Sequence, residues 1–132
     1  MTKKRKIILA TVAFSILLAI GVSLTYIFAV ALAQKREKEQ LLKAVQEYYD
    51  AKLAMYTAEN EKYDDYEVDV AFLGDSLTDG YDLEKYFPQY LVLNRGIGGE
   101  TTFGLEKRLK VSVYALKPKV AVMLIGANNF DT

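Results

Sequence analysis

The sequence has no cysteine and no histidine. Without cysteine there is no disulfide and no thiolate metal site, and the redox compartment is left open. Without histidine, the side chain that most often moves protons near neutral pH is missing from all 132 residues. The body of the chain also lacks a basic stripe, which argues against nucleic acid as a partner. Formal net charge is zero, but its placement is uneven. Lys3, Lys4, Arg5 and Lys6 take four of the 17 basic residues and none of the 17 acidic ones, so the remainder carries a net charge of −4.

Charge is absent again from residues 7–33, a run that is mostly apolar. As a helix this run would measure about 40 Å, against about 30 Å of bilayer hydrocarbon. It is long enough to span with some tilt. Thr11, Ser15, Ser23 and Thr25 can bond back to their own helix and do not spoil the span. The basic residues 1–6 would form a cytoplasmic tail, and the chain after Ala33 would lie outside the cytoplasm. Lys35, Arg36 and Lys38 follow the run but alternate with Glu37 and Glu39. Ala31-Leu32-Ala33 offers a signal-peptidase pattern, yet the run is far longer than a signal core of about 7–15 residues. The expectation is an uncleaved, single-pass signal anchor in the cell membrane.

No glycine or proline interrupts residues 34–60, which read as helix. Leu41, Val45, Tyr48, Tyr49, Lys52, Leu53 and Tyr56 recur at steps of three and four. This narrow, tyrosine-rich face would pack on the following domain or on its own twin. Residues 59–69 are strongly acidic, with Lys62 the one positive charge, and read as a solvated linker. Residues 34–67 are thus a helical stalk and linker.

From residue 68 the pattern changes. Val68, Val70 and Phe72 alternate with Asp69 and Ala71, giving a first strand over 68–73. Residues 76–81 read as a polar turn, and 82–87 as a short helix stopped by Pro88. Leu91-Val92-Leu93 is a second short strand. Three glycines in 94–100 mark a loop with unusual backbone angles or close approach. Residues 101–116 read as a helix, with Thr101 or Thr102 as cap and Leu105, Leu109, Ser112 and Val113 on one face. Pro118 separates it from a third apolar strand, 120–125. The order β-α-β-α-β with short connections predicts a parallel sheet with right-handed crossovers.

All three strands then end at one edge of the sheet, where open α/β sheets bind ligands. Ser76 follows the first strand, Gly98 and Gly99 the second, and Asn128 the third. A serine there can act as a nucleophile, and glycine-loop amides with a side-chain carboxamide can hold an oxyanion. The same Gly74-Asp75-Ser76 would serve equally as a tight turn and helix cap.

These segments resemble the SGNH (GDSL) hydrolase family. Gly74-Asp75-Ser76-Leu77 is similar to its first block. Asn94-Arg95-Gly96-Ile97-Gly98-Gly99-Glu100-Thr101 is similar to its second block, and Gly126-Ala127-Asn128-Asn129 to its third. The second and third blocks look closest to platelet-activating-factor acetylhydrolase-like esterases. The resemblance covers residues 68–132. It implies a flavodoxin-like three-layer α/β fold and hydrolysis of O-acyl esters by a serine esterase or lipase, with no metal or organic cofactor. Ser76 would be the nucleophile; its own N–H, that of Gly99 and the amide of Asn128 would hold the oxyanion; Asp75 and Gly98 would lie at the substrate. The substrate would be an acylated small molecule, lipid or glycan.

The family's base lies in an Asp-x-x-His block, and this chain has no histidine. Asp131 is in the wrong place to substitute. The expectation is the N-terminal part of the domain, truncated after the third strand and inactive by itself. The alternative is a non-catalytic, membrane-anchored binding module. Tyr81, Tyr86 and Phe103 could line a pocket or pack in the core.

Overall fold

The computed structural model describes residues 2–131. They form two compact units, Met1–Val45 and Gln46–Thr132.

Helix α1 (Lys3–Asn60) supplies residues 3–45 of the first unit. Its apolar side chains from Ile7 to Leu32 are exposed. The hydroxyls of Thr11, Ser15, Ser23 and Thr25 each donate to a carbonyl three or four residues back, as at Ser23 Oγ to Ala19 O, 2.8 Å. These four hydroxyls are therefore satisfied inside the helix itself. By length and composition α1 is a candidate membrane span.

The second unit is an open α/β layer. Strands β1 (Val70–Gly74), β2 (Val92–Gly96) and β3 (Val120–Leu124) are parallel, in the order β2-β1-β3. Gly74 stands level with Gly96 and Leu124, so all three strands stop at one line. Between them lie α2 (Ser76–Asp79), α3 (Leu83–Tyr86) and α4 (Thr102–Leu109). A π-helical turn (Lys110–Tyr114) extends α4, closed by Ala115 N to Lys110 O, 2.8 Å. Lys117, with φ 47°, ends the run just before Pro118.

The core is one face of β1 and β2 against α4 and its extension. Val68, Ala71, Leu73, Leu93, Leu105 and Leu116 are buried there, with Leu109, Val113 and Ile125 partly so. Each fully buried leucine contributes about 1.5–3 kcal/mol. On the opposite face Phe72 meets Phe87 at 5.1 Å, and Tyr81 stacks on Tyr86 at 5.1 Å. Tyr81, Tyr86 and Phe103 are exposed, not core residues. Every residue of β3 is exposed, and its outer edge is unpaired among the described residues.

The strand order, with β1 between β2 and β3, is the one the family resemblance implies. Two local readings change. Residues 76–79 form a helical turn where a polar turn was expected, because the Asp75 carboxylate accepts from Leu77 N at 3.0 Å and caps it. Strand β2 runs on through Asn94 and Arg95, whose polar ends find partners. Asn94 Nδ2 donates to Thr78 O at 2.6 Å, and Arg95 pairs with Glu59 at 2.5 Å.

The compact unit also begins earlier than residue 68. Tyr56 is buried and donates to Gly96 O at 2.5 Å, Arg95 lies 4.6 Å from its ring, and Asn60 Nδ2 donates to Val111 O at 2.8 Å. The last turns of α1 are therefore a layer of the αβ body. The acidic stretch is only partly solvated. Glu59 holds Arg95, and Asp69 holds Lys119 at 2.6 Å and Leu91 N at 2.9 Å.

Candidate active site

The strand ends bring the expected loops to one edge. Ser76 opens α2 directly after β1 and is exposed. Asp75, expected at the substrate, is 1% exposed. Its carboxylate faces inward to cap α2, so it sets the turn that carries Ser76 rather than meeting a ligand.

The second loop is fixed from below. Gly96 has no room for a side chain: a Cβ there would lie 2.6 Å from Asp79 Cα and 2.7 Å from Thr78 C. Only glycine lets β2 touch α2 this closely. Gly99 has φ +75°, in the left-handed region, with open space around its Cβ position. It is exposed, and its N–H belongs to a turn closed by Glu100 N to Ile97 O at 3.2 Å.

The third loop meets the second. Asn128 Nδ2 donates to Glu100 O at 2.9 Å. Asn129 Nδ2 donates to Thr102 Oγ1 at 2.7 Å, while its Oδ1 accepts from Thr102 N at 3.1 Å. Asn128 therefore stands beside the Gly98-Gly99 turn with its carboxamide held by the backbone that follows Gly99.

Beneath these loops lies Arg108, 2% exposed. Its Nε donates to Glu100 Oε2 at 2.7 Å, one terminal nitrogen to Arg95 O at 2.8 Å and Ser112 Oγ at 2.9 Å, and the other to Gly74 O at 3.2 Å. One guanidinium thus ties the ends of β1 and β2 to the residue after Gly99. The sequence reading did not single it out. The available signal was its phase: Leu105, Arg108 and Ser112 share one helical face, and Arg108 faces inward among apolar residues.

A second group from α1 reaches the same loop. Asp79 accepts from Tyr48 Oη and from Lys52 Nζ, the latter at 2.5 Å. Gly98 N donates to Tyr48 Oη at 3.4 Å. Burial works to raise the Asp79 pKa, but the bonds from Lys52 and Tyr48 outweigh it, so this carboxyl lies below its usual range. Tyr48 is raised, by burial first and by the Asp79 bond second.

The Asp79 shift has a consequence for stability. A carboxyl whose folded pKa is depressed stabilises the fold above its unfolded value near 4, and that stabilisation is lost as pH falls through the folded value. Lys52→Met is therefore expected to lower the urea midpoint at pH 7. It should also flatten the decline of the midpoint between about pH 4 and pH 2. Paired urea titrations at the two ends of that window check it.

Beside α2, Phe72, Leu77, Thr78, Tyr81 and Leu124 line a mostly apolar groove of about 340 Å³. Of the three aromatics singled out in the sequence, only Tyr81 takes part in it.

Residues 72–132 match the GDSL-like Lipase/Acylhydrolase family. None of the curated proteins matches the chain. Among solved structures, the chain is similar to a Streptococcus pneumonia protein described as a platelet activating factor, at 25% identity and TM-score 0.60, over 69% of this chain and 42% of that one. It is similar to a GDSL-like lipase from Bacteroides thetaiotaomicron at 26% identity and TM-score 0.53, over 60% and 41%. It is also similar to a Bacteroides fragilis protein described as an acylhydrolase, at 28% identity and TM-score 0.50, over 56% and 38%. The chain spans about two fifths of the length of each of these structures.

Proposed function

We propose that this chain, whose residues 72–132 match the GDSL-like lipase/acylhydrolase family, carries the nucleophile and oxyanion half of a membrane-anchored ester hydrolase. The carrying observation is the common line on which β1, β2 and β3 stop, with Ser76, the Gly98-Gly99 turn and Asn128 following it. Ser76 Oγ attacks the acyl carbon and displaces the alcohol. The N–H groups of Ser76 and Gly99 and the Asn128 carboxamide take the negative charge that develops on the carbonyl oxygen. Water then releases the acyl group. The apolar groove beside α2 suits the acyl part of the substrate. An O-acylated glycan, a lipid and a small ester all fit this chemistry.

The proton from Ser76 needs a base, and no histidine is available within these 132 residues. By themselves they are expected to show essentially no esterase turnover. The span 7–33 serves as the anchor, with residues 1–6 in the cytoplasm and the αβ unit outside it.

The test is completion. The chain is joined after Thr132 to the remaining C-terminal part of the Streptococcus pneumonia structure and assayed in detergent with a short nitrophenyl ester. Hydrolysis by the folded chimera, and none by the 132 residues, is the expected result. A folded chimera without turnover, or rapid Ser76-dependent turnover by the 132 residues alone, overturns the reading.

A further inference from the structure

We propose that Tyr48 is a positioning residue for the Gly98-Gly99 turn: its hydroxyl, anchored on Asp79, holds the amide from which the second oxyanion donor hangs. This rests on the ester-hydrolase reading of Ser76, Gly99 and Asn128. Tyr48 lies on α1, outside the family-matched residues 72–132.

Gly99 cannot fix itself. Nothing lies within 4 Å of its Cβ position, and its φ of +75° is one of several angles that glycine adopts freely. Its orientation must come from the residues on either side. On the C-terminal side the clamp is strong. Glu100 is held by Arg108 at 2.7 Å, and its carbonyl takes the Asn128 amide at 2.9 Å. On the N-terminal side there is Gly98, with only moderate burial and no side chain.

What holds Gly98 comes from α1 and α2. Its N–H donates to Tyr48 Oη at 3.4 Å, and a Cβ on Gly98 would lie 3.7 Å from that oxygen and 3.8 Å from Asp79 Oδ2. The hydroxyl and the carboxylate thus sit on Gly98 in van der Waals contact. The hydroxyl could rotate freely were it not donating to Asp79. Asp79 in turn is held by Lys52 at 2.5 Å and belongs to the same helical turn as Ser76. The chain Lys52–Asp79–Tyr48–Gly98 therefore references the Gly99 donor to the turn that carries the nucleophile. A loose N-terminal side would let the Gly99 amide plane rock about the Glu100 clamp, and preorganised donors lose most of their value when they must reorient.

The experiment uses the full chain in detergent micelles, labelled with 15N-glycine; eight glycines give a readable spectrum. In Tyr48→Phe, solvent exchange at the Gly98 amide is expected to rise about three- to tenfold, the size of one modest hydrogen bond. Gly98 and Gly99 should change resonance position while Gly74, Gly96 and Gly104 stay in place. Asp79→Asn should move the same two resonances, and the double variant should add little to Tyr48→Phe. In the active chimera, Tyr48→Phe should lower kcat and leave KM unchanged. Unchanged Gly98 and Gly99 signals in Tyr48→Phe overturn the proposal, as does a shift of all the αβ glycines together, which marks general loosening. An inactive parent chimera would sink the hydrolase reading, and the glycine spectrum would still decide whether Tyr48 sets the turn.

Discussion

In the completed, active chimera, Ser76→Ala is expected to reduce kcat for a short nitrophenyl ester by on the order of 10⁵–10⁶-fold. Removing the attacking oxygen abolishes the acyl-enzyme route outright and leaves only what the oxyanion donors and substrate binding can do for water. The substitution itself is structurally mild. Ser76 is exposed, and the turn beneath it is held by the buried Asp75 carboxylate. The melting temperature should therefore stay within a degree or two of the parent, and KM should change little. Asn128→Ala is the contrasting variant. It removes one donor of three, so kcat should fall by about 10²–10³-fold. It also frees the Glu100 carbonyl, so part of its effect will come from a looser loop. If Ser76→Ala keeps more than about 1% of the parent kcat, Ser76 is not the nucleophile.

The difference between those two variants reflects what could be read in the sequence. The loops were legible because each follows a short apolar run and carries turn-forming residues: Gly-Asp-Ser, Gly-Gly, Asn-Asn. Strand order was what the family resemblance implies, since β-α-β connectivity alone gives a parallel sheet and crossover hand but not which strand is central. Of the two threonines offered as a cap, Thr101 is the one whose side chain accepts from Gly104 N, at 3.2 Å, and the Asp82 cap, accepting from Lys85 N at 3.2 Å, was not foreseen. What stayed hidden were partnerships across long separations. Tyr56 with Gly96, Arg95 with Glu59 and Tyr48 with Asp79 join α1 to β2 and α2, more than 30 residues away. Periodicity showed that Tyr48, Lys52 and Tyr56 share a face of α1, but not which carboxylate or carbonyl they meet. Asp75 was placed at the substrate through the family resemblance, whereas its buried carboxylate accepts from Leu77 N at 3.0 Å and caps α2.

Arg108→Met is expected to destabilise the αβ unit by about 3–5 kcal/mol, read from the urea midpoint of the full chain in detergent. Methionine fills most of the volume, so packing explains little of this. The larger effect is electrostatic. Glu100 is 7% exposed and Arg108 is its ion-pair partner at 2.7 Å, so the substitution leaves a carboxylate buried without a counter-charge. It also strips a donor from Gly74 O, Arg95 O and Ser112 Oγ. Gly74 O keeps the Ile97 N–H at 3.1 Å, and a buried acceptor that is left unpaired typically adds about 1–3 kcal/mol before the structure relaxes. Glu100→Gln in the same background removes the stranded charge, so Arg108→Met/Glu100→Gln should recover a measurable part of the loss. Two effects of equal size in the single and double variants would mean that the carboxylate is not the source. A change confined to packing would leave the single and double variants equally destabilised, so this comparison separates a guanidinium clamp from a merely well-filled core.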